Sequence, residues 1–237
     1  MTVKTLFAGA AARAVLDAWA VLAPTECSGC GAPDLALCAA CRYALAPQVH
    51  LCRRDGVPVW VALDYSGVAR RVIGAYKDGG RTDAAGPLAA PLRAAVVAAL
   101  SASTASAPPP GAAGVHLVII PSSRRAWRAR GYHPVELLLG RAGLAQSPVL
   151  RQAADVADQV GLGKLARDRN KRGSLVARRP LDGLRCLVVD DIVTTGATIL
   201  EARRAVLEAG GEVVGLVALA ETRRLHGAVD GREETAR

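Results

Sequence analysis

Two hydrophobic periods alternate along the chain. Residues 187–189, Leu-Val-Val, form a continuous apolar run, as expected of a strand buried on both faces of a parallel sheet. From 199 to 209 the apolar positions recur at helical spacing. Between these stretches stand Asp190 and Asp191, which the pattern predicts to end the strand, followed by Ile192, Val193, Thr194, Thr195, Gly196, Ala197 and Thr198. The unit reads as strand, carboxylates, tight loop and helix start. Apolar runs at 58–65, 115–120 and 213–220 predict further strands, with a short one around 149–150. Helical spacing predicts helices over 3–22, from Ser66 through Tyr76, over 87–100 and over 134–144. Strands alternating with helices define an α/β fold built on a parallel sheet. Residues 101–114 are of low complexity and read as a surface loop inside one domain, because the run at 115–120 belongs to the same sheet. Residues 155–175 are basic, glycine-containing and poorly periodic, the pattern of a mobile lid, and the charged tail begins near Thr222.

The turn after the central strand carries chemistry. A helix start leaves backbone N–H groups unpaired and bears about half a positive charge, so it attracts an anion. Gly196 allows close backbone approach, and Thr194, Thr195 and Thr198 add hydroxyls. This is a phosphate cradle, with Asp190 and Asp191 placed to take ribose hydroxyls or Mg²⁺. Adjacent carboxylates repel each other, so their replacement is expected to leave stability unchanged or slightly higher. Neither the Walker nor the Rossmann glycine pattern occurs. A second candidate loop follows 115–120: Pro121, Ser122, Ser123, then Arg124, Arg125, Arg128 and Arg130 around Trp127, ending in Gly131, Tyr132 and His133. Ligands of open α/β sheets gather at this strand end.

Charge supports an anionic partner. The chain of 237 residues carries 30 basic against 21 acidic residues, a net +9, and 26 of the basic residues are arginine. Arginine's planar fork suits phosphate, and a balance of this size admits a phosphorylated metabolite, nucleic acid or a membrane surface. Aromatics make up only 3%, which weakens the case for a base-stacking single-strand binder. Arg13 and Asp17 interrupt the apolar N-terminus, which fits an amphipathic helix better than a signal peptide, and no run of about 18 apolar residues occurs. The expectation is a cytoplasmic protein without membrane insertion.

The cysteines add a metal. Cys27 and Cys30, then Cys38 and Cys41, are two Cys-x-x-Cys knuckles with spacing for one tetrahedral Zn²⁺. A thioredoxin-like redox pair needs one knuckle, not two, and disulfides are disfavoured in the cytoplasm. Cys186 reads as a buried thiol, and Cys52 as a buried thiol or a spare ligand to the knuckles. The expected division is a helix and zinc segment over 1–57 and the main domain over 58–230.

These motifs together resemble the ComF family. The resemblance covers nearly the whole chain and rests on the knuckles, Tyr65, Lys77-Asp78-Gly79-Gly80, Pro121 with the Arg-rich loop, Gln159 to Leu162, Arg167 with Asn170, and 188–198. The last stretch alone resembles the loop that binds phosphoribosyl pyrophosphate (PRPP) in type I phosphoribosyltransferases. The resemblance implies the type I phosphoribosyltransferase fold behind a small zinc-knuckle segment. It also implies transfer of phosphoribosyl from PRPP with Mg²⁺, and a link to DNA uptake in natural competence. It assigns Asp190 and Asp191 to the ribose and Mg²⁺, and Thr194 to Thr198 to the 5′-phosphate, with Ile192 and Val193 in the same PRPP-binding stretch. It places Ser122, Ser123, Arg124 and Arg125 on pyrophosphate, with Lys77 assisting and Arg167 and Asn170 closing from the lid. Two readings stay open: an enzyme acting on an acceptor that no motif specifies, and a non-catalytic protein that senses PRPP or binds single-stranded DNA, with DNA-uptake proteins as partners.

Overall fold

The computed structural model describes residues 26–103, 114–153 and 172–223. The helix expected over 3–22, most of the low-complexity stretch, the lid residues through 171 including Arg167 and Asn170, and the tail beyond 223 lie outside the described residues.

In chain order the elements are α1 (Ala39–Tyr43), β1 (His50–Arg54), β2 (Val57–Asp64), α2 (Gly67–Asp78), α3 (Ala85–Ser103), β3 (His116–Ile119), α4 (Arg124–Arg130), α5 (Pro134–Arg141), β4 (Gln146–Ser147), β5 (Leu150–Gln152), β6 (Leu175–Ala177), β7 (Arg185–Val193), α6 (Ala197–Glu208) and β8 (Glu212–Glu221). Six strands form one sheet in the order β1-β2-β8-β7-β3-β4, and β5 pairs with β6 in a second. All neighbours in the main sheet are parallel except β1, which runs antiparallel to β2.

Side chains on a strand alternate between faces, and β7 serves two cores. Leu187 and Val189 join Ile73 of α2, Leu88 and Leu92 of α3, and Leu138 and Leu139 of α5. Cys186 and Val188 face the other way, against Ile199, Ala202 and Val206 of α6. Both faces are covered, so every position of the run is apolar. Helix α3 is the one helix among the described residues long and apolar enough to cross a membrane, and half of it is buried. Its Leu88, Leu92 and Val96 are fully covered by the core, which accounts for its composition.

Three features depart from the sequence pattern. Strand β7 does not stop at Asp190: it continues to Val193, because β8 extends beside it and pairs Ile192 with Ala220 and Val193 with Glu221. The short strand expected around 149–150 is two strands, β4 closing the main sheet and β5 opening the small one. Strand β1 has no counterpart in the expectation. Asp55 and Gly56 both take positive φ, 48° and 79°, and turn the chain from β1 into β2, so residues 50–54 belong to the sheet although they precede 58.

Candidate functional site

The C-terminal ends of β7 and β3 lie side by side, and the turn and the Arg-rich loop leave from them. Helix α6 begins at Ala197, with Gly196 at its N-cap in the left-handed region at φ 90°. The Ala197 N–H donates to Thr195 Oγ1 at 3.3 Å, and the Leu200 N–H to the Gly196 carbonyl at 2.9 Å. Thr194 and Thr195 are exposed. The predicted sequence of strand, turn and helix start is therefore present.

The two carboxylates have different surroundings, because alternation sends them to opposite faces. Asp191 is buried and points to the α2 side, where Lys77 Nζ lies 2.8 Å from each of its oxygens. Asp190 is half-buried, and its Oδ1 accepts the Asp191 N–H at 2.8 Å. The expectation that both acids are dispensable for stability does not hold for Asp191. Replacing it breaks a largely buried ion pair and leaves Lys77 without its partner.

A cleft of about 220 Å³ opens where Asp191, Lys77, Ser122, Ser123, Arg130 and His133 meet. Ser123 caps α4 by accepting the Ala126 N–H at 3.1 Å. Arg130 reaches Asp78 at 3.3 Å. Behind the cleft, Tyr76 and Tyr132 pack with ring centres 5.6 Å apart and planes tilted by 48°, and the buried Tyr76 hydroxyl donates to the Pro134 carbonyl at 2.7 Å. The Tyr132 hydroxyl donates back to the Tyr76 carbonyl, so α2 and the end of the Arg-rich loop are tied together.

Ser122 and Ser123 thus meet Lys77 and Asp191 as the sequence suggested, whereas Arg124 and Arg125 do not. Both are exposed on α4 and outside that cleft, and Arg130 lines it instead. Arg124 and Arg128 lie three and one residues from Trp127 and line a neighbouring pocket of about 380 Å³ with Ser122 and His133. Trp127 is 48% exposed there. Among the described residues, Arg124, Arg125 and Arg128 have no carboxylate within ion-pair distance.

On the far flank of the turn stands a group the sequence reading missed. Arg54 of β1 is 4% exposed. Its Nε donates to the Thr194 carbonyl at 2.7 Å, Nη1 to the Arg53 carbonyl at 3.0 Å, and Nη2 to Glu221 at 2.9 Å and the Thr222 carbonyl at 3.1 Å. His50 presents Nδ1 to the Gln48 carbonyl at 2.7 Å and Nε2 to Glu221 at 2.8 Å. With an acceptor on each ring nitrogen, the imidazolium is favoured: burial opposes it, but the two contacts raise the His50 pKa. Burial likewise pushes Glu221 up, and His50 and Arg54 outweigh it, holding the carboxyl below its ordinary range.

The four knuckle cysteines bring their sulfurs within 4.8 Å of one another. A tetrahedral ion with Zn–S near 2.3 Å requires sulfurs about 3.8 Å apart, and Cys30 and Cys38 stand at 3.7 Å. The Cys38 N–H donates to Cys27 Sγ at 3.3 Å and, against burial, holds that thiol down to about 6, which favours the ligating thiolate. Gly29 is required beside them, since a Cβ there would lie 2.5 Å from Cys41 Sγ. The donor set fits a metal such as zinc. Cys52 and Cys186 are buried thiols; burial pushes Cys52 up to about 11.

Comparison with known proteins gives the class. The phosphoribosyl transferase domain model matches residues 154–233, which include the turn, α6 and β8. Orotate phosphoribosyltransferase of Pyrobaculum calidifontis is 47% identical over 53 residues, 22% of this chain and 27% of that protein. A crystal structure of adenine phosphoribosyltransferase aligns distantly, with TM-score 0.32 and 13% identity over 76% of this chain and 89% of that one. The protein carries a phosphoribosyltransferase domain of α/β architecture, with a four-cysteine cluster near its N-terminus. Its relatives narrow this further. The DNA utilization protein YhgH of Salmonella typhimurium is 28% identical over 214 residues, 78% of this chain and 90% of that protein. The Escherichia coli protein of the same name is 33% identical over 104 residues, 42% and 45% of the two chains. Over most of its length the chain is thus similar to the DNA utilization proteins, alongside the ComF resemblance of its motifs.

Proposed function

We propose that the chain binds PRPP with Mg²⁺ in the cleft above β7 and β3 and transfers its phosphoribosyl group to an acceptor, releasing pyrophosphate. The observation that carries this reading is the convergence of a helix-start turn with a carboxylate–lysine pair and a serine-capped basic loop. That is a set for phosphate, diol and pyrophosphate in one row. The turn at 194–198 takes the 5′-phosphate on backbone N–H groups. Asp190 and Asp191 take the ribose hydroxyls and would hold Mg²⁺, which when bound offsets the charge of the pyrophosphate. Lys77, Ser122, Ser123 and Arg130 face the departing pyrophosphate, with Arg124 and Arg125 exposed on the neighbouring helix α4. The protein's work is to orient the sugar and stabilise negative charge as it leaves C1′. The cysteine segment before β1 is the zinc unit and the sheet from β1 onward the catalytic domain, since 50–54 pair with β2, and the protein works in the cytoplasm. Titration calorimetry with PRPP and Mg²⁺, followed by pyrophosphate release against a panel of bases and amines, tests it. Absence of PRPP binding rejects the site. Binding without release for any acceptor rejects the enzyme and leaves a PRPP sensor.

A second reading has its own support. Trp127 stands exposed beside Arg124 and Arg128, which lack carboxylate partners among the described residues, and the relatives are named for DNA utilization. An aromatic face flanked by phosphate-binding cations suits single-stranded DNA. Affinity should fall with salt, with a log–log slope of about −0.7 per phosphate contacted. PRPP should compete for the neighbouring arginines, and Trp127→Ala should weaken binding about tenfold or more. DNA binding indifferent to salt, PRPP and Trp127 would place it elsewhere.

A further inference from the structure

We infer that Arg54, an arginine from a different part of the chain, positions the phosphate turn by gripping its peptide from behind. Gly196 is held against the Arg54 stem: a Cβ on Gly196 would lie 2.5 Å from Arg54 Cβ and 2.8 Å from its Cγ. The guanidinium then donates to the Thr194 carbonyl at 2.7 Å. In a trans peptide the C=O and the following N–H point in opposite directions. Drawing the Thr194 carbonyl inward therefore turns the Thr195 N–H away from the buried guanidinium. The grip sets the plane of the 194–195 peptide and the left-handed conformation of Gly196 together. Both precede the first turn of α6, where the remaining cradle N–H groups lie.

The clamp is itself anchored. Arg54 Nη2 bonds Glu221 and the Thr222 carbonyl, and the Thr222 N–H bonds the Val193 carbonyl at 3.0 Å. Strand β1, the end of β8 and the turn thus form one unit. His50 holds the second Glu221 oxygen at 2.8 Å, so the carboxylate cannot swing off the guanidinium without losing two partners. Lysine cannot replace this arrangement: a point charge with one ammonium cannot reach the Thr194, Arg53 and Thr222 carbonyls and Glu221 from a planar fork. Arg54 touches no reacting atom, and its role is to positioning what a loop lock is to a hinge.

The experiment compares Arg54→Met and Arg54→Lys with Leu92→Ala, a cavity variant in the core on the α3 side, at matched loss of melting temperature. Amide hydrogen exchange across 194–198 should accelerate about tenfold or more in both Arg54 variants and stay at wild-type values in Leu92→Ala. The inference rests on the PRPP reading for its ligand arm alone. There Kd for PRPP should rise about 10- to 100-fold, the loss of a bond to a charged group. Should Arg54→Met not fold, Arg54→Lys and Arg54→Gln carry the same comparison. Unchanged exchange and affinity in the Arg54 variants overturns the inference. So does an equal response from Leu92→Ala. If wild type binds no PRPP while exchange still responds to Arg54 alone, the PRPP reading falls and the clamp stands.

Discussion

Replacing Asp190 with asparagine is expected to abolish Mg²⁺-dependent PRPP binding while leaving the fold and melting temperature close to wild type. Asp190 is half-buried, and its Oδ1 accepts one backbone N–H. An amide keeps an acceptor oxygen in that place but loses the charge and one acceptor. Charge-assisted bonds are about twice as strong as neutral ones. A carboxylate accepting ribose hydroxyls and drawing Mg²⁺ should therefore be worth a fall in affinity of about 100-fold or more. Asp191→Asn should lose binding too, but by a different route and with a structural cost. It takes away the Lys77 pair, whose loss should cost about 1.5–3 kcal/mol, the range for hydrogen bonds to charged groups. Calorimetry and thermal melts on the two single variants separate the roles. An Asp190→Asn protein that binds PRPP like wild type would remove the turn from the proposed site.

If the knuckles hold zinc, stripping it is expected to unfold residues 26–45 and leave the sheet standing. Within the segment, Cys27, Leu37, Cys41 and Leu45 are the buried residues that join the core, and two of those four are knuckle cysteines. Structural zinc contributes about 10–16 kcal/mol in isolated fingers, and no packing of this size replaces it. One Zn²⁺ per chain should be found in protein purified without chelator. Chelation, or Cys30→Ser with Cys38→Ser, should lower the melting temperature and expose 26–45 to exchange, while amides of β7 and β8 keep their protection. Metal-free protein, or a double serine variant that melts like wild type, would show the cluster to be ordinary thiols.

Local pattern carried the central unit but not its partners. The run at 187–189 predicted β7 because both faces of that strand are covered, and the spacing after 198 predicted α6 because one face of that helix is. The end of β7 was misjudged since a ladder stops where its neighbour stops, and β8 runs on to Glu221. Strand β1 was legible and overlooked: Asp55-Gly56 before an apolar run is a strong hairpin signal, obscured by the paired arginines at 53 and 54. Nothing local marks Arg54 as buried, because its carboxylate partner lies 167 residues away. Lys77 and Asp191 are likewise 114 residues apart. The Arg-rich stretch presents four similar charges, and only the winding of α4 decides that Arg130 enters the cleft and Arg124 leaves it.

Helix α2 joins the cysteine cluster to the cleft. Arg71 donates to the Gly29 carbonyl inside the first knuckle, and Arg81, just past the helix, donates to the carbonyls of Glu26 at 3.0 Å and Ala36 at 3.5 Å. The same helix carries Tyr76, Lys77 and Asp78, which hold Tyr132, Asp191 and Arg130. A rod fastened at both ends transmits load in either direction. If the knuckles hold zinc and the cleft holds PRPP, a ligand that tightens the Lys77 end strengthens the grip on the metal by the same free energy that the metal lends to the ligand. On the proposed reading, affinity for PRPP would then rise and fall with zinc occupancy of the knuckles.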